Sequence, residues 1–394
     1  MELSRKCQQI SASVTLAITA KAKKLKSEGV DVISFGAGEP DFNTPLNIQN
    51  AGIEAIKKGF TKYTPASGTS ELKESICYKL KRDNGLSYKP SQIVVSNGAK
   101  HSLYNTLMAI CNPGDEVIIA NPYWVSYPEL VKLVDAVPVF VQTKEENNFK
   151  YTEDDLVKAI TNKTKAIILN SPNNPTGVAY SKKELAMIAN LAVKYDLFVI
   201  SDEIYEKLVY DDVKHISIAS LSEEMKNRTI VVNGVSKAYA MTGWRIGYAA
   251  APENVSKIMS NVQSHCTSNP NSIAQYASVE ALRGPQDTVE LMRREFEKRR
   301  NYMVKKINTI PGLSCKMPSG AFYVMVNISR IKGMVVKGYT INSSLDFCNA
   351  LLNSEKVAAI PGSAFGADDF IRLSYATSLE AITKGLNRIE NFIL

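Results

Sequence analysis

The chain has 394 residues, of which 45% are hydrophobic and 22% are charged, and its formal net charge is +8. This length exceeds what one hydrophobic core usually supports, so we expect two domains, and the composition argues against a disordered or a membrane protein. The basic residues mostly alternate with acidic ones, as in the run 293–300, and no nucleic-acid recognition motif accompanies them. DNA binding is therefore not expected.

The N-terminal segment imitates a signal peptide, because the basic pair Arg5-Lys6 precedes an apolar stretch from Ile10 to Ala20. Serines and threonines interrupt that stretch, and its Ala/Lys-rich continuation is typical of a helix that stops at Gly29. The six cysteines and three histidines are scattered along the chain. This spacing favours free thiols in a reducing cytoplasm and argues against a zinc site.

Short runs rich in β-branched residues predict strands that are buried on both faces, and hence a mostly parallel sheet flanked by helices. We assign residues 46–284 to this large α/β domain. In chain order the predicted strands are Ile93–Val95, Val117–Ile119, Val137–Val141, Ala166–Leu169, Phe198–Ile200, Ile230–Val232 and Ile246–Ala250.

After a charged helix predicted over about 286–308, the order of predicted strands and helices differs from that of the large domain. Three further strands, separated by helices, are predicted at Phe322–Val326, Val357–Ile360 and Phe370–Ser374. We expect a smaller α+β domain built from the two chain ends, residues 1–45 and 285–394.

Three of the predicted central strands run into loops that carry polar groups. These loops contain the segments 170–177, 201–205 and 233–237, which offer amides, a carboxylate, a phenol, a hydroxyl and a lysine amine. Ligands of open parallel sheets bind beyond the carboxyl ends of the strands, so these groups would converge if the strands are neighbours. Each group alone is equally typical of a turn, a helix cap or a surface lysine.

Competing motifs are incomplete or missing from the sequence. The run Gly36–Asp41 begins like a dinucleotide fingerprint but has aspartate where the third glycine belongs. The chain contains no phosphate-binding Gly-x-x-x-x-Gly-Lys-Ser/Thr, no His-Glu-x-x-His and no Gly-x-Ser-x-Gly. Nucleotide transfer, zinc hydrolysis and serine hydrolysis are therefore disfavoured.

The segment 236–248 resembles the cofactor-lysine segment of the fold type I, class I aminotransferases, which use pyridoxal 5′-phosphate (PLP). The resemblance covers nearly the whole chain and is nearest to the I-beta subgroup, which includes bacterial aspartate aminotransferases. It extends, in the same order, to the segments 38–42, 63–65, 121–127, 171–177, 201–205 and 372–376. The resemblance implies the aminotransferase fold, a homodimer with shared active sites and a PLP cofactor.

The resemblance also implies roles for individual residues. Lys237 would form an aldimine with PLP and then act as the general base. Asp202 would pair with the pyridine nitrogen, and Tyr205 and Asn174 would bind the phenolic oxygen. Trp124 would stack on the ring, and Tyr63 would reach the phosphate of the partner subunit. The remaining phosphate ligands would be Gly98, Ala99, Lys100, Ser236 and Arg245.

Substrate recognition would depend on two positive charges. Arg372 would bind the α-carboxylate, helped by Asn174 and the backbone at Gly36. Lys100 would bind a second carboxylate, which favours aspartate and 2-oxoglutarate as substrates in a ping-pong reaction. The further substrate-binding residues expected are Trp124, Ser13 and Thr15.

Several alternatives stay open at this point. The same scaffold serves aminotransferases with a broad or aromatic substrate range and carbon–sulfur β-lyases. A transcription regulator would need an additional DNA-binding module ahead of the fold, for which this chain has no room. A catalytically inactive binding protein would be expected to lack Lys237 or Asp202, and both are present.

Overall fold

The computed structural model of the chain describes residues 2–12 and 14–394. Its strands, numbered in chain order, are β1 (Ile33–Ser34), β2 (Ile93–Ser96), β3 (Glu116–Asn121), β4 (Val137–Gln142), β5 (Thr164–Asn170), β6 (Phe198–Asp202), β7 (Thr229–Gly234), β8 (Gly247–Ala250), β9 (Ser314–Cys315), β10 (Tyr323–Asn327), β11 (Val335–Val336), β12 (Tyr339–Thr340), β13 (Val357–Ala358), β14 (Ile360–Pro361) and β15 (Phe370–Ser374).

The helices follow the same numbering. They are α1 (Arg5–Gln8), α2 (Val14–Ser27), α3 (Leu46–Lys57), α4 (Ser70–Asn84), α5 (Ala99–Ile110), α6 (Ser126–Leu133), α7 (Glu153–Ala159), α8 (Lys182–Lys194), α9 (Glu223–Lys226), α10 (Glu253–Cys266), α11 (Ser272–Arg283), α12 (Asp287–Ile307), α13 (Ser344–Glu355) and α14 (Leu379–Ile393). None of the helices in the described residues is both long and apolar enough to cross a bilayer.

The central sheet has seven strands in the order β2-β8-β7-β6-β5-β3-β4. The strands from β7 to β4 pair in parallel, and β8 is antiparallel to both β2 and β7. All seven predicted strands are present, and the prediction of a mostly parallel sheet between helices is confirmed. One prediction is wrong, because β4 is not buried on both faces. It is an edge strand, and 45% of Val137 and 46% of Phe140 is exposed.

The apolar composition of the inner strands follows from packing on both faces of the sheet. Val231 and Val95 pack with α4 and α11 on one side, whereas Ile168 and Val232 pack with α5 and α6 in a separate cluster. Parallel strands covered by helices have no solvent-facing side chains, so they show no polar alternation. This arrangement leaves only the ends of the strands to carry polar groups.

The C-terminal part forms a second core around an antiparallel sheet in the order β14-β15-β10-β9. The predicted strand 357–360 is in fact two short strands in different sheets, because β13 pairs with β1 and β14 pairs with β15. Phe35, which follows β1, packs in the same core as Phe296 and Phe322. The N-terminal segment thus joins the C-terminal one through both hydrogen bonds and apolar contacts.

Candidate active site

Three adjacent parallel strands bring the predicted polar groups to one edge of the central sheet. β5, β6 and β7 are neighbours, and Asn170 at the end of β5 is paired with Asp202 at the end of β6. The Asn170 amide donates to the Asp202 carbonyl oxygen over 2.9 Å and accepts the backbone N–H of Asn174 over 2.8 Å. β7 leads into Ser236 and Lys237. The loops that the sequence singled out therefore lie together.

Asp202 is a buried carboxylate with two hydrogen-bond donors. The Tyr127 hydroxyl donates to Oδ2 over 2.7 Å, and the Ile204 backbone N–H donates to Oδ1 over 3.2 Å. Burial raises the pKa of Asp202 to about 6, although both donors oppose this shift. Each carboxylate oxygen has a further lone pair, so the group can accept another N–H. Tyr127 lies in the matching segment 121–127, but sequence reasoning did not assign it a role.

A cluster of polar side chains lies next to the turn that follows β6. His215 Nε2 lies 3.1 Å from a Glu203 carboxylate oxygen, and Glu206 forms a buried ion pair with Lys79. The ligand atoms of Glu203, Glu206 and His215 lie within 4.8 Å of one another. Because the Lys79 ammonium already neutralises Glu206, we assign this cluster to holding the turn rather than to binding a metal.

Lys237 extends into the same space from the segment after β7. Its Nζ donates to the Gly38 carbonyl oxygen over 2.7 Å and lies 5.9 Å from the centroid of the Tyr205 ring. Burial lowers the pKa of Lys237 to about 8, although the Glu39 carboxylate opposes the shift. An amine with this pKa is partly unprotonated near neutral pH, and the unprotonated form is the nucleophile and the base.

Tyr205 and Tyr323 place two hydroxyl groups side by side. Their oxygens are 3.0 Å apart, and both rings are buried. Burial raises the pKa of Tyr205 well above its ordinary value, so the hydroxyl stays protonated and can donate. Sequence reasoning missed Tyr323, because a tyrosine within an apolar strand is typical of an ordinary core residue.

Arg372 on β15 is a buried cation that contacts neutral groups. Its Nη1 donates to Asn174 Oδ1 over 2.9 Å, and its Nη2 donates to the Gly36 carbonyl oxygen over 3.2 Å. The guanidinium lies 4.3 Å from the ring centroid of Tyr323 and 4.9 Å from that of Phe365. Its buried Nε has no partner, and no carboxylate in the described part of the chain forms an ion pair with it. Such a charge is suited to an anionic ligand.

A positively charged cradle lies at the start of α5. Gly98 caps this helix with a φ of +85°, and a Cβ at this position would overlap the Arg245 guanidinium. Arg245 is held in turn by two backbone carbonyl oxygens, over 2.9 and 3.2 Å. Ala99 in the first helical turn, Ser236 and Arg245 line the same cavity. A helix N-terminus beside a guanidinium and a hydroxyl can hold a phosphate group.

Lys100 and Trp124 form another wall of the cavity. Lys100 Nζ lies 5.0 Å from the centroid of the Trp124 ring, which meets the Tyr127 ring edge-on. Partial desolvation, together with the nearby Arg245 charge, lowers the pKa of Lys100. Thr15 on α2 also lines the cavity, whereas Ser13, which was expected beside it, lies outside the described residues.

These groups surround a single cavity of about 620 Å³, within the range of small-molecule sites. Tyr63 does not line it, and 90% of this residue is exposed. Gly98 caps the helix whose first turn forms the wall. The predicted residues that do line the cavity are Thr15, Gly36, Ala99, Lys100, Trp124, Asn174, Asp202, Tyr205, Ser236, Lys237, Arg245 and Arg372.

The donors and acceptors of this cavity match the functional groups of PLP. The Lys237 amine can bond to an aldehyde, the Asp202 carboxylate can accept a ring N–H, and the cradle at Gly98 can hold a phosphate. None of these three groups of PLP requires the Arg372 guanidinium, whose Nε has no hydrogen-bond partner. The cavity therefore fits both a phosphorylated aldehyde and a second, carboxylate-bearing molecule.

Comparison with known proteins agrees with this geometry. The family described as aminotransferase class I and II matches residues 30–389. The chain is 51% identical to the aspartate aminotransferase of Bacillus subtilis over 393 residues, which cover 100% of this chain and 99% of that protein. It is 45% identical to the aspartate/prephenate aminotransferase of Nitrosomonas europaea, with 100% of each chain covered. The crystal structure of the aspartate aminotransferase of Rhizobium meliloti superimposes with a TM-score of 0.96 at 44% identity, covering 100% of this chain and 99% of that one. The chain therefore belongs to the class I and II aminotransferases.

Proposed function

We propose that this aminotransferase transfers the amino group of L-aspartate to 2-oxoglutarate, which yields oxaloacetate and L-glutamate. The observation that carries this proposal is the presence of two cations, Arg372 and Lys100, in the cavity that holds the Lys237 amine. Both substrates are dicarboxylates, and two separate cations suit their two carboxylates. The names of the relatives in Bacillus and Rhizobium, both aspartate aminotransferases, support the same choice.

The enzyme uses pyridoxal 5′-phosphate as its cofactor. When bound, this cofactor supplies an aldehyde that takes up the amino group and a ring that accepts the electrons of the Cα–H bond. Lys237 would hold it covalently through Nζ. Released by the incoming amino acid, the same amine would take the proton from the substrate Cα and return it, a role that suits a pKa of about 8.

The other polar groups would orient and polarise the cofactor. The Asp202 carboxylate would accept the ring N–H, and the Tyr127 hydroxyl would keep that carboxylate in place. The Tyr205 hydroxyl and the Asn174 amide N–H would donate to the phenolic oxygen, since Asn174 Oδ1 already faces Arg372. Trp124 would cover one face of the ring.

The phosphate would be bound by backbone N–H groups and fixed charges. The first turn of α5, at Gly98, Ala99 and Lys100, would present its N–H groups. Ser236 and Arg245 would add a hydroxyl and a bidentate guanidinium. The substrate α-carboxylate would bind to Arg372 beside Gly36, and the side-chain carboxylate would bind to Lys100 with Thr15 and Ser13.

We also propose that the active enzyme is a homodimer in the cytoplasm. Tyr63 is 90% exposed, as expected for a side chain that serves the site of a partner subunit. The six cysteines are all free thiols, which suits a reducing compartment.

A broader substrate range is favoured by one part of the cavity. Trp124 and Leu16 give the wall an apolar portion, and the relative in Nitrosomonas is an aspartate/prephenate aminotransferase. An aromatic side chain could pack against this portion while Arg372 binds the α-carboxylate. A β-lyase on the same scaffold would release ammonia, whereas the proposed reaction transfers the amino group of the donor to 2-oxoglutarate.

A panel of amino donors with 2-oxoglutarate tests the proposal. We expect aspartate to have the highest kcat/KM and no ammonia to be released. Replacing Lys100 by Ala should raise the KM for aspartate by about tenfold or more, because a charged hydrogen bond is lost, and should change the KM for alanine little. Lys23→Ala is the control, since Lys23 lines the same cavity and carries the same charge. Equal effects of Lys100→Ala on both donors would contradict the assignment.

A further inference from the structure

A second cavity, which we call the lysine cavity, lies outside the active site. It has a volume of about 540 Å³ and is lined by residues from the segments 148–150, 176–182, 212–216 and 316–319, together with Met325. These segments come from the loops after β4, β5 and β6 and from the chain that precedes β10. The lysine cavity is therefore built at the junction between the central sheet and the C-terminal sheet.

The charges that line the lysine cavity are mostly positive. Lys150, Lys182, Lys214 and Lys316 contribute ammonium groups, and Asp212 is the one acidic residue among the described residues of the lining. Lys150 is paired with Glu184 over 2.9 Å. Within the described part of the chain the other three lysines form no ion pair. The cavity thus has an excess of positive charge that an anion would neutralise.

An apolar surface lies next to these charges. Phe149 and Met325 are buried in one small cluster, and Val178, Ile216 and Met317 line the same cavity. Sites for small organic molecules combine such apolar walls with a few polar groups that fix the orientation of the ligand. The lining therefore favours a ligand that has an apolar portion as well as a negative charge.

The walls of the lysine cavity are held together by hydrogen bonds. The backbone N–H of Gly320 donates to the Gly177 carbonyl oxygen over 2.7 Å, and that of Ala179 donates to Ser319 Oγ over 2.7 Å. These bonds join the loop after β5 to the chain before β10. Because these two backbone segments are fixed to each other, a ligand need not order them, and it would order only the exposed side chains of Lys182, Lys214 and Lys316.

We propose that the lysine cavity binds a small organic anion in which a phosphate or carboxylate is joined to a flat apolar group. The anion would lie among Lys182, Lys214 and Lys316, and the apolar group would pack against Phe149 and Met317. This site is separate from the PLP cavity, with which it shares no lining residue.

Calorimetric titration of the PLP-saturated enzyme with 1-naphthyl phosphate tests the proposal. We expect one saturable site per chain and an affinity at least about tenfold lower in the double variant Lys182→Ala/Lys316→Ala, since two charge contacts are lost. The matched control is Lys158→Ala/Lys163→Ala, which removes the same charge from exposed positions outside the cavity and should bind like the wild type. Lys214→Ala provides a second variant should the first double variant unfold at a lower temperature.

Further titrations identify which part of 1-naphthyl phosphate the lysine cavity recognises. Inorganic phosphate and 1-naphthol, which each carry half of the probe's chemistry, should both bind more weakly than 1-naphthyl phosphate. Three results would overturn the proposal: no saturable binding to the wild type, equal affinities in the two double variants, or competitive displacement of the probe by 2-oxoglutarate, which would locate it in the active site.

Discussion

At the scale of single residues, the candidate active site combines a buried acid, Asp202, with a partly buried amine, Lys237. Burial raises the pKa of Asp202 to about 6 and lowers that of Lys237 to about 8, so both groups move towards neutrality. The physical cause is the same, because leaving water disfavours whichever form is charged. Tyr127 opposes the effect at Asp202 by donating a hydrogen bond to the carboxylate. Burial thus favours the neutral amine at Lys237, which is the form that the proposed base requires, and Asp202 is the acceptor that we propose for the ring N–H of the cofactor.

The pKa of Lys237 predicts a pH dependence of stability in the cofactor-free protein. Its ordinary value of 10.5 applies to the unfolded chain, and the folded value is about 8. Between these values the unfolded chain binds more protons, so the free energy of unfolding rises with pH by at most about 1.4 kcal/mol per unit. Compared with Lys237→Met, the wild type should be less stable near neutral pH, and the deficit should shrink as pH increases from about 8 to about 10. Urea unfolding of both proteins measures this; a pH-independent difference would contradict it.

At the scale of elements, the N-terminus of α5 shows how backbone geometry brings a guanidinium to the first N–H groups of a helix. Gly98 combines a φ of +85° with a contact to Arg245 that leaves no room for a side chain. The close approach places the guanidinium beside the first N–H groups of the helix. Charge and helix dipole therefore act on the same point.

Replacing Gly98 by Ala should weaken PLP binding by about tenfold or more, because Arg245 would have to move away from the helix and one charged contact would be lost. Gly114→Ala is the matched control, since Gly114 has a φ of +86° and nothing lies within 4 Å of an added Cβ. Both variants should lose about 1 to 3 kcal/mol of stability, because each places a side chain at a positive φ. Only the Gly98 variant should lose cofactor affinity in a fluorescence titration, and equal affinities would refute the proposed cradle.

At the scale of the whole molecule, we propose that residues 46–284 form a large domain and that residues 1–45 and 285–394 form a small one. The pairing of β1 with β13 and the burial of Phe35 in the C-terminal core support this division. The contact of Ser11 with Glu129 joins the N-terminal residues to α6, and the contact of Lys6 with Asp135 joins them to the turn after α6. The start of the chain thus contacts both of the proposed domains.

The proposed dimer can be tested by subunit complementation. Lys237→Ala and Tyr63→Ala should each be inactive at a low PLP concentration, the first through loss of the base and the second through weaker phosphate binding. A heterodimer of the two contains one site with an intact Lys237 and an intact Tyr63. Co-expression should therefore restore up to about a quarter of the wild-type activity if dimers form at random. Tyr195→Ala, mixed with Lys237→Ala in the same way, controls for loss of an exposed tyrosine. If the mixture of Lys237→Ala and Tyr63→Ala is no more active than either variant alone, the shared site is contradicted.

The amino-acid sequence by itself predicted the strands of the central sheet, and twelve of the residues that it singled out line the cavity. Runs such as Ile230–Val232 predict buried strands because a strand covered on both faces must be apolar throughout, and the polar loops after β5, β6 and β7 stand out against them. Only the tertiary structure decided that β4 lies at an edge and that Tyr127 and Tyr323 support Asp202 and Tyr205. The physical reason is that strand order and contacts between distant residues depend on packing, whereas the apolar pattern is local. The lysine cavity has the same origin, since its lysines are far apart in sequence and meet only where the two sheets join.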